Sequence, residues 1–551
     1  MTDNNTNRTE KFTIHSETIF KWSDYPLFVI LTGLIWFAII YFCSYWFSLG
    51  DWSYYPVSFS ILTFILVVIL ANNQFQWFLL IFMKRPKPMR ARSGLKVGVA
   101  TTFVPGAEPL EMLEQTVTAV VALDYPHDTW VLDEGDDPEV KALCHRLGAH
   151  HFSRKNLARY QTETGRFQAR SKHGNYNAWL HEIGFDQYDI ITAFDPDHVP
   201  EPTFLSRVLG YFENPKVGYV QAAQVYYNQK ASFIARGAAE ETYAYYSSIQ
   251  MAYYGLGYSI VNGCHNTHRT TALKQVGGFA PHDADDLLIT LLYRASGWQG
   301  VYVPKILARG LTPVDWKGYF TQQRRWARSV LDIKFRTYPK LSRNLPFKTK
   351  AICLLHGVNY IQDSVVNFLG LAVLIFMLAT GVTPNALAHL NVPRLVILFG
   401  FLQLCNFYRQ WFHLDWQNEW GLYWRAAILK YAKWPYIIAA FCEVLLDRRV
   451  PYALTLKVKS KTRRRMSLWP HLIVACLILS AWIIGIFTVP HTHTILHIWA
   501  AVFVFWSLAL VATELLSFPD PYDKALFPGA PSESDRRKEL LSSTLTHSKE
   551  S

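Results

Sequence analysis

Tyr188-Asp189-Ile190-Ile191-Thr192-Ala193-Phe194-Asp195-Pro196-Asp197-His198-Val199-Pro200 reads as a hydrophobic strand, Tyr188 to Phe194, running straight into two carboxylates one residue apart. A short apolar run closed by an Asp-Pro turn signal reads as a strand. Working back from it, Val97 to Phe103 is a second strand, Pro109 to Leu123 a helix, Thr129 to Leu132 a third strand and Pro138 to Leu147 a helix. Strand, helix and strand in alternation predict an α/β domain with a mostly parallel sheet and right-handed crossovers. Ligands of such a sheet bind at the carboxyl ends of its strands. Asp133 and Asp195 each end a strand, so both carboxylates are expected on that edge.

Outside this domain the chain changes character. Of its 551 residues, 50% are hydrophobic, 15% aromatic and only 17% formally charged, a membrane profile. The net charge of +12 does not point to nucleic acid, because Lys and Arg gather beside apolar blocks, at Lys84 to Arg92 and Lys457 to Arg465. The positive-inside rule accounts for both clusters. Seven scattered cysteines without a CxxC pair predict neither a disulfide framework nor a structural zinc. The polar N-terminus, Met1 to Glu17, has no apolar core of a signal peptide, so the first membrane helix is expected to direct insertion.

Pro26 to Phe47 and Pro56 to Phe82 are each long enough to cross a bilayer core of about 30 Å. Basic residues before the first and after the second place both ends in the cytoplasm. Ile352 to Thr380, Val392 to Phe412, Leu468 to Val489 and Ile495 to Phe518 read as four further spans. A crossing at Ile428 to Leu446 would put the basic stretch Asp447 to Arg465 outside. Trp416 to Leu446, interrupted by Lys430, Lys433 and Pro435, is therefore expected to lie along the cytoplasmic interface, leaving six spans. The domain plan is a cytosolic segment at 1–25, two transmembrane helices at 26–83, a cytosolic domain at 84–345, membrane and interfacial helices at 346–518, and a disordered polar tail at 519–551.

Each chemical motif has a bland reading beside the functional one. Asp195 and Asp197 beyond a strand end can hold a hard divalent cation together with diphosphate oxygens, or form an Asp-Pro turn. Asp285-Asp286 opens an apolar helix, where acidic residues ordinarily complement the dipole, but one of the pair could take a proton from a hydroxyl. Gln322-Gln323-Arg324-Arg325-Trp326 offers a guanidinium for phosphate and an indole for stacking on a sugar, or a basic helix face with an interfacial anchor. Cys264, His265 and His268 lack a fourth ligand, so no zinc site is expected there. His491, His493 and His497 read as interfacial. Aromatic lines along the predicted spans (Trp36, Tyr41, Trp46; Phe401, Phe407, Trp411) could stack on sugars or face lipid.

Taken together and in this order, the motifs resemble the processive family 2 glycosyltransferases, most closely the bacterial cellulose synthase branch, from about Lys96 to Lys457. Lys172-His173-Gly174-Asn175 is similar to the family's Lys-x-Gly-Asn segment. Phe194 to Pro200 is similar to Phe-Asp-x-Asp-His-Val-Pro, and Tyr452-Ala453-Leu454-Thr455-Leu456-Lys457 to the gating loop Phe-x-Val-Thr-x-Lys, here within 447–465. The resemblance implies a glycosyltransferase A-type domain inserted between about six transmembrane helices. It makes Asp133 a uridine contact, Asp195 a contact of the diphosphate-metal region and Asp197 a ligand of Mg²⁺ or Mn²⁺. Asp286 takes the general base's place, and Gln322, Arg325 and Trp326 match Gln-x-x-Arg-Trp at the acceptor. Lys172 joins the donor site; Tyr452, Thr455 and Lys457 would close over the nucleotide.

The implied activity is inverting transfer from a UDP-sugar, UDP-glucose first, to a growing β-glycan passed through the protein's own helices. The implied location is the plasma (inner) membrane, with the catalytic domain cytosolic and an export or accessory subunit as a further partner. Pro105-Gly106-Ala107-Glu108 departs from the family's Pro-x-Tyr-Asn-Glu, Ala284-Asp285-Asp286 from Thr-Glu-Asp, and Tyr452 and Leu454 from Phe and Val. A fused cyclic-di-GMP-binding barrel is not expected after Phe518. Other readings are a UDP-N-acetylglucosamine polymerase, a non-processive transferase acting on a lipid, and a nucleotide-binding transporter or scaffold.

Overall fold

The computed structural model describes residues 13–448, 466–489 and 492–515. Strand β1 (Ser16–Thr18) precedes two long helices, α1 (Tyr25–Trp46) and α2 (Pro56–Phe78), and β2 (Lys84–Pro86) follows them. β1 and β2 pair antiparallel, Glu17 opposite Arg85, so the chain enters and leaves the helix pair at one end.

The domain that follows holds β3 (Val97–Phe103), α3 (Leu110–Val121), β4 (Asp128–Asp133), α4 (Pro138–Leu147), β5 (His150–Phe152) and α5 (Lys172–Trp179). It continues through β6 (Ile190–Phe194), β7 (Val199–Pro200), β8 (Val217–Tyr226), α6 (Phe233–Glu240), β9 (Asn266–Arg269), α7 (Asp285–Ala295), β10 (Gln299–Gly310) and α8 (Trp316–Asp332). The strands form one sheet in the order β5-β4-β3-β6-β9-β8-β10-β7. β5, β4, β3 and β6 are parallel, β9 is antiparallel to both β6 and β8, and β7 is antiparallel to β10.

Every residue of β6 is buried. Ile191 and Ala193 enter one core cluster, Ile190 and Phe194 another on the opposite face. Helices cover both faces, which is why the strand reads as a continuous apolar run rather than an alternation. Local signals set the helix ends. Asp137 caps α4 by accepting from Glu139 N at 2.8 Å, Pro138 opens the helix, and Gly148 closes it at φ +73°.

Beyond the domain come α9 (Val358–Thr380), α10 (Val392–Gln410), α11 (Trp424–Leu445), α12 (Trp469–Thr488) and α13 (Thr494–Leu515). Among the described residues five helical stretches are long and apolar enough to cross a membrane: Trp22–Trp46, Pro56–Phe82, Phe347–Thr380, Trp469–Thr488 and Thr494–Leu515. α10, expected as a sixth span, is a helix but not one of these five; it carries Arg394 and Arg409 near its ends. It nevertheless runs antiparallel along α1. Arg394 donates to Tyr41 O at 2.8 Å near one end, and Tyr408 OH donates to Asp24 O at 3.0 Å near the other.

α11 is bound at both ends to the α/β domain and its C-terminal extension. Near its start Arg425 pairs with Glu240 at 3.2 Å; near its finish Val444 O accepts from Arg336 at 2.6 Å and Glu443 pairs with Arg324.

Candidate active site

The carboxyl edge of β3, β4 and β6 opens into a cavity of about 1320 Å³ that extends between α2, α8, α9 and α11. Eight residues named from sequence lie within the described chain, and seven line this one cavity: Lys172, Asp195, Asp197, Asp286, Gln322, Arg325 and Trp326. Tyr452, Thr455 and Lys457 fall outside the described residues.

Asp133 is the exception. It ends β4 on the expected edge, but its side chain is fully buried and does not line the cavity. Its carboxylate accepts from Gly135 N at 2.8 Å and Asp137 N at 2.5 Å and faces His151 Nε2 at 3.1 Å. Those bonds shape the 133–137 turn and leave Glu134 and Gly135 to face the cavity.

The Lys172 to Asn177 segment divides in the same way. Asn175 donates to Leu132 O at 2.9 Å, Tyr176 OH to Phe194 O at 3.0 Å, and Asn177 to Phe279 O at 2.9 Å, so these three seat α5 on the sheet and fix the Gly277-Gly278-Phe279 turn. Gly174 is required by space, since a Cβ there would lie 2.3 Å from Gln168 O. Lys172 projects to the cavity, which Asn175 also lines, and its Nζ bonds Asp195 Oδ1 and Gly263 O. Burial works against its charge, but Asp195 and then Asp285 outweigh it and hold Lys172 well above its usual pKa.

Asp197 is nearly buried and meets His198 Nδ1 at 3.1 Å. Asp195, Asp197 and His198 each bring a ligand atom within 4.8 Å of the others. Two carboxylates with a neighbouring imidazole suit Mg²⁺ or Mn²⁺, which prefer oxygen donors and keep positions for substrate phosphates. The Cys264, His265 and His268 trio does not assemble: His268 bonds Tyr293 OH at 2.9 Å and Asn266 Oδ1 at 2.7 Å. Cys264 and His265 instead lie beside His198, whose two nitrogens already face Asp197 and, at 3.3 Å, Gln224.

Asp285 and Asp286 open α7 at the cavity wall. Burial, and then the neighbouring charge of Asp285, pushes Asp286 up to about 7. Asp285 is also raised by burial, with Lys172 acting against the rise. Such a carboxyl is poised to exchange a proton near neutrality.

Sequence reading missed three groups that face the same space. Lys155 and Arg170 line the cavity beside Glu134. Glu241 and Lys433 form a buried pair at 2.9 Å, with Gln323 accepting from Lys433 at 3.1 Å and Tyr319 OH donating to Glu241 at 3.0 Å. Asp363 and Gln362 reach the cavity from α9, opposite Asn72 and Gln76 of α2. A carboxylate on an apolar helix was the available signal for Asp363. The aromatic lines on the spans do not contribute, since none of the six lines the cavity; Trp36 and Trp411 are exposed on the outer surface.

The family described as "Glycosyltransferase like family 2" matches residues 99–329. These residues form a family 2 glycosyltransferase domain. Its sheet, with β9 reversed within a mostly parallel order, is of the glycosyltransferase A type. The chain is 26% identical over 284 residues to a cellulose synthase catalytic subunit (UDP-forming) of Xanthomonas axonopodis pv. citri, covering 50% of this chain and 37% of that protein. It is also 26% identical over 236 residues to a probable glucomannan 4-beta-mannosyltransferase of Oryza sativa subsp. japonica, covering 41% and 39%. The chain thus spans about two fifths of the length of these relatives. A mannosyltransferase of Pyrobaculum calidifontis, solved with GDP-Man and Mn²⁺, superposes with a TM-score of 0.46 at 17% identity, covering 72% of this chain and 99% of that one. The glycosyltransferase domain is carried on a membrane protein.

Proposed function

We propose that the chain is a membrane-embedded inverting hexosyltransferase that moves a sugar, glucose first, from its UDP donor to a growing β-glycan. The reading is carried by one observation: carboxylates, lysine, arginine and tryptophan from four separate stretches of chain, at Lys172, Asp195–Asp197, Asp286 and Gln322–Trp326, line a single cavity that continues to the long apolar helices α2 and α9.

Asp286 takes the proton from the attacking acceptor hydroxyl; the hydroxyl oxygen bonds to the anomeric carbon as the bond to the diphosphate oxygen breaks. Direct displacement inverts that carbon, so an α-linked donor gives a β-linkage. Lys172 and Arg325 offset the charge that develops on the departing diphosphate, and Trp326 stacks against the acceptor ring. Asp195 and Asp197, with His198 beside them, would hold Mg²⁺ or Mn²⁺, which supplies further positive charge at the leaving group. Gln322, with Gln362 and Asp363 of α9, offers hydrogen bonds to sugar hydroxyls along the route into the helices. Asp133 acts on the nucleoside through the turn that presents Glu134 and Gly135.

Passage of the glycan through the helices fits the cavity's extension to Asn72, Gln76 and Asp363. A cytosolic catalytic domain in the plasma (inner) membrane fits the basic residues flanking the first hairpin. Mannose is a second donor sugar to test, since the glucomannan mannosyltransferase is as similar as the cellulose synthase. The deciding experiment is incorporation from radiolabelled UDP-sugars and GDP-mannose by purified protein with Mg²⁺ or Mn²⁺, with products sized and cut by linkage-specific hydrolases. A long insoluble product from one donor supports the polymer synthase, a short or lipid-soluble one a non-processive transferase. Nucleotide binding without transfer from any donor would favour a transporter or scaffold.

A further inference from the structure

Asp286 must meet the acceptor within a few tenths of an ångström, yet the helix it opens begins without a side-chain cap: Ala284 occupies the N-cap position. The loop is fixed from outside. His282 Nδ1 accepts from Ala284 N at 3.0 Å, which leaves the ring proton on Nε2 to be donated to Asp332 Oδ2, also at 3.0 Å. Asp332 is the last residue of α8, the helix that carries Gln322, Arg325 and Trp326. The His282 N–H holds Asp332 below the usual carboxylate range, with Arg336 and Arg328 adding to it.

The chain of bonds continues past Asp332. Arg336 donates to Asp332 Oδ1 at 2.7 Å and to Val444 O at 2.6 Å, and pairs with Asp447 at 2.9 Å. A second, parallel rung links Asp283 to Arg328 at 3.5 Å and Arg328 to Arg448 O at 3.0 Å. Both rungs join the 282–286 loop to α8 and then to the C-terminal turn of α11. Neither His282 nor Asp332 lines the cavity.

We propose that His282 and Asp332, backed by Arg336 and the Asp283–Arg328 rung, are positioning residues that hold Asp286 in register with Trp326. The inference rests on the transferase reading above. It explains why an imidazole and a carboxylate sit behind a base they do not touch: they fix the loop on the same helix that presents the acceptor plate.

The test compares Asp332→Ala, Asp332→Asn, His282→Ala and the double alanine variant in the full-length protein. Asp332→Ala and His282→Ala should each lower kcat by about 10- to 100-fold with donor KM changed less than about twofold, because a misplaced base slows chemistry without touching the donor. The double variant should lose little more than either single one, and Asp332→Asn, which keeps an acceptor for His282, should recover much of the rate. Hydrogen exchange of the 280–288 backbone should quicken in the alanine variants, a readout that needs no turnover. Unchanged exchange, multiplicative losses in the double variant, or a rise in donor KM in step with the rate loss would overturn the assignment. Wild-type protein inactive with every sugar nucleotide would instead overturn the transferase reading and leave exchange to decide the rungs.

Discussion

As the proposed base, Asp286 works under two opposing demands. A base must be ionised to accept a proton, yet the cavity wall in which it sits also removes water from it. Burial and Asp285 raise its pKa to about 7, while Lys172 and the Leu287 N–H hold the rise in check and Asp195 adds to it. Below that value the carboxyl is protonated and cannot act as base, so the transfer rate should climb as pH rises through about 7; a pH profile of kcat/KM that is flat from 6 to 8 would remove Asp286 from the role. Asp286→Asn should lower kcat by about 10²- to 10⁴-fold while UDP binding, followed by calorimetry, stays within a few-fold. Replacing Asp197 with Ala should remove metal-stimulated transfer without preventing membrane insertion. Residue types and spacing located the acidic groups in advance because each follows a strand or opens a helix. They could not foretell the turn bonds of Asp133, since an Asp that shapes a turn and one that meets a ligand look alike until their partners are known.

At the scale of elements, the Glu241–Lys433 pair fastens the C-terminal cap of α6 to α11 with both side chains below a tenth exposed. Lys433→Met alone should destabilise the protein by about 3–5 kcal/mol, because Glu241 is then buried without its partner; adding Glu241→Gln should restore part of that loss. Thermal melting in detergent reads both, and equal melting of the single and double variants would show that the pair is not coupled. α4 was legible to the residue, since Asp137, Pro138 and Gly148 mark its ends. β9 was not. Asn266-Thr267-His268-Arg269 is polar and four residues long, and only its place between β6 and β8 makes it a strand. The aromatic lines on the spans failed as channel markers because helical spacing does not say which face meets lipid.

For the whole molecule, the topology turns on α10 and α11. We propose that α10, packed end to end and antiparallel on α1, is a sixth span, and that α11, both of whose ends bond the α/β domain and its extension, does not cross. A reporter fused after Arg465 should therefore report cytoplasm, and one placed at Asn385 the far side; an external signal at Arg465 would make α11 a span. The β1–β2 ribbon bears on a different property. It closes the first helix pair at the edge of the catalytic domain, while Asn72, Phe75 and Gln76 of α2 form part of the cavity wall. A helix pair adapts to a thinner or thicker bilayer by tilting. A tilt of α2 would move part of that wall, beside the groups proposed to react. Lipid chain length should then affect the rate, and reconstitution in phosphatidylcholines of graded acyl length should give an activity optimum rather than a plateau.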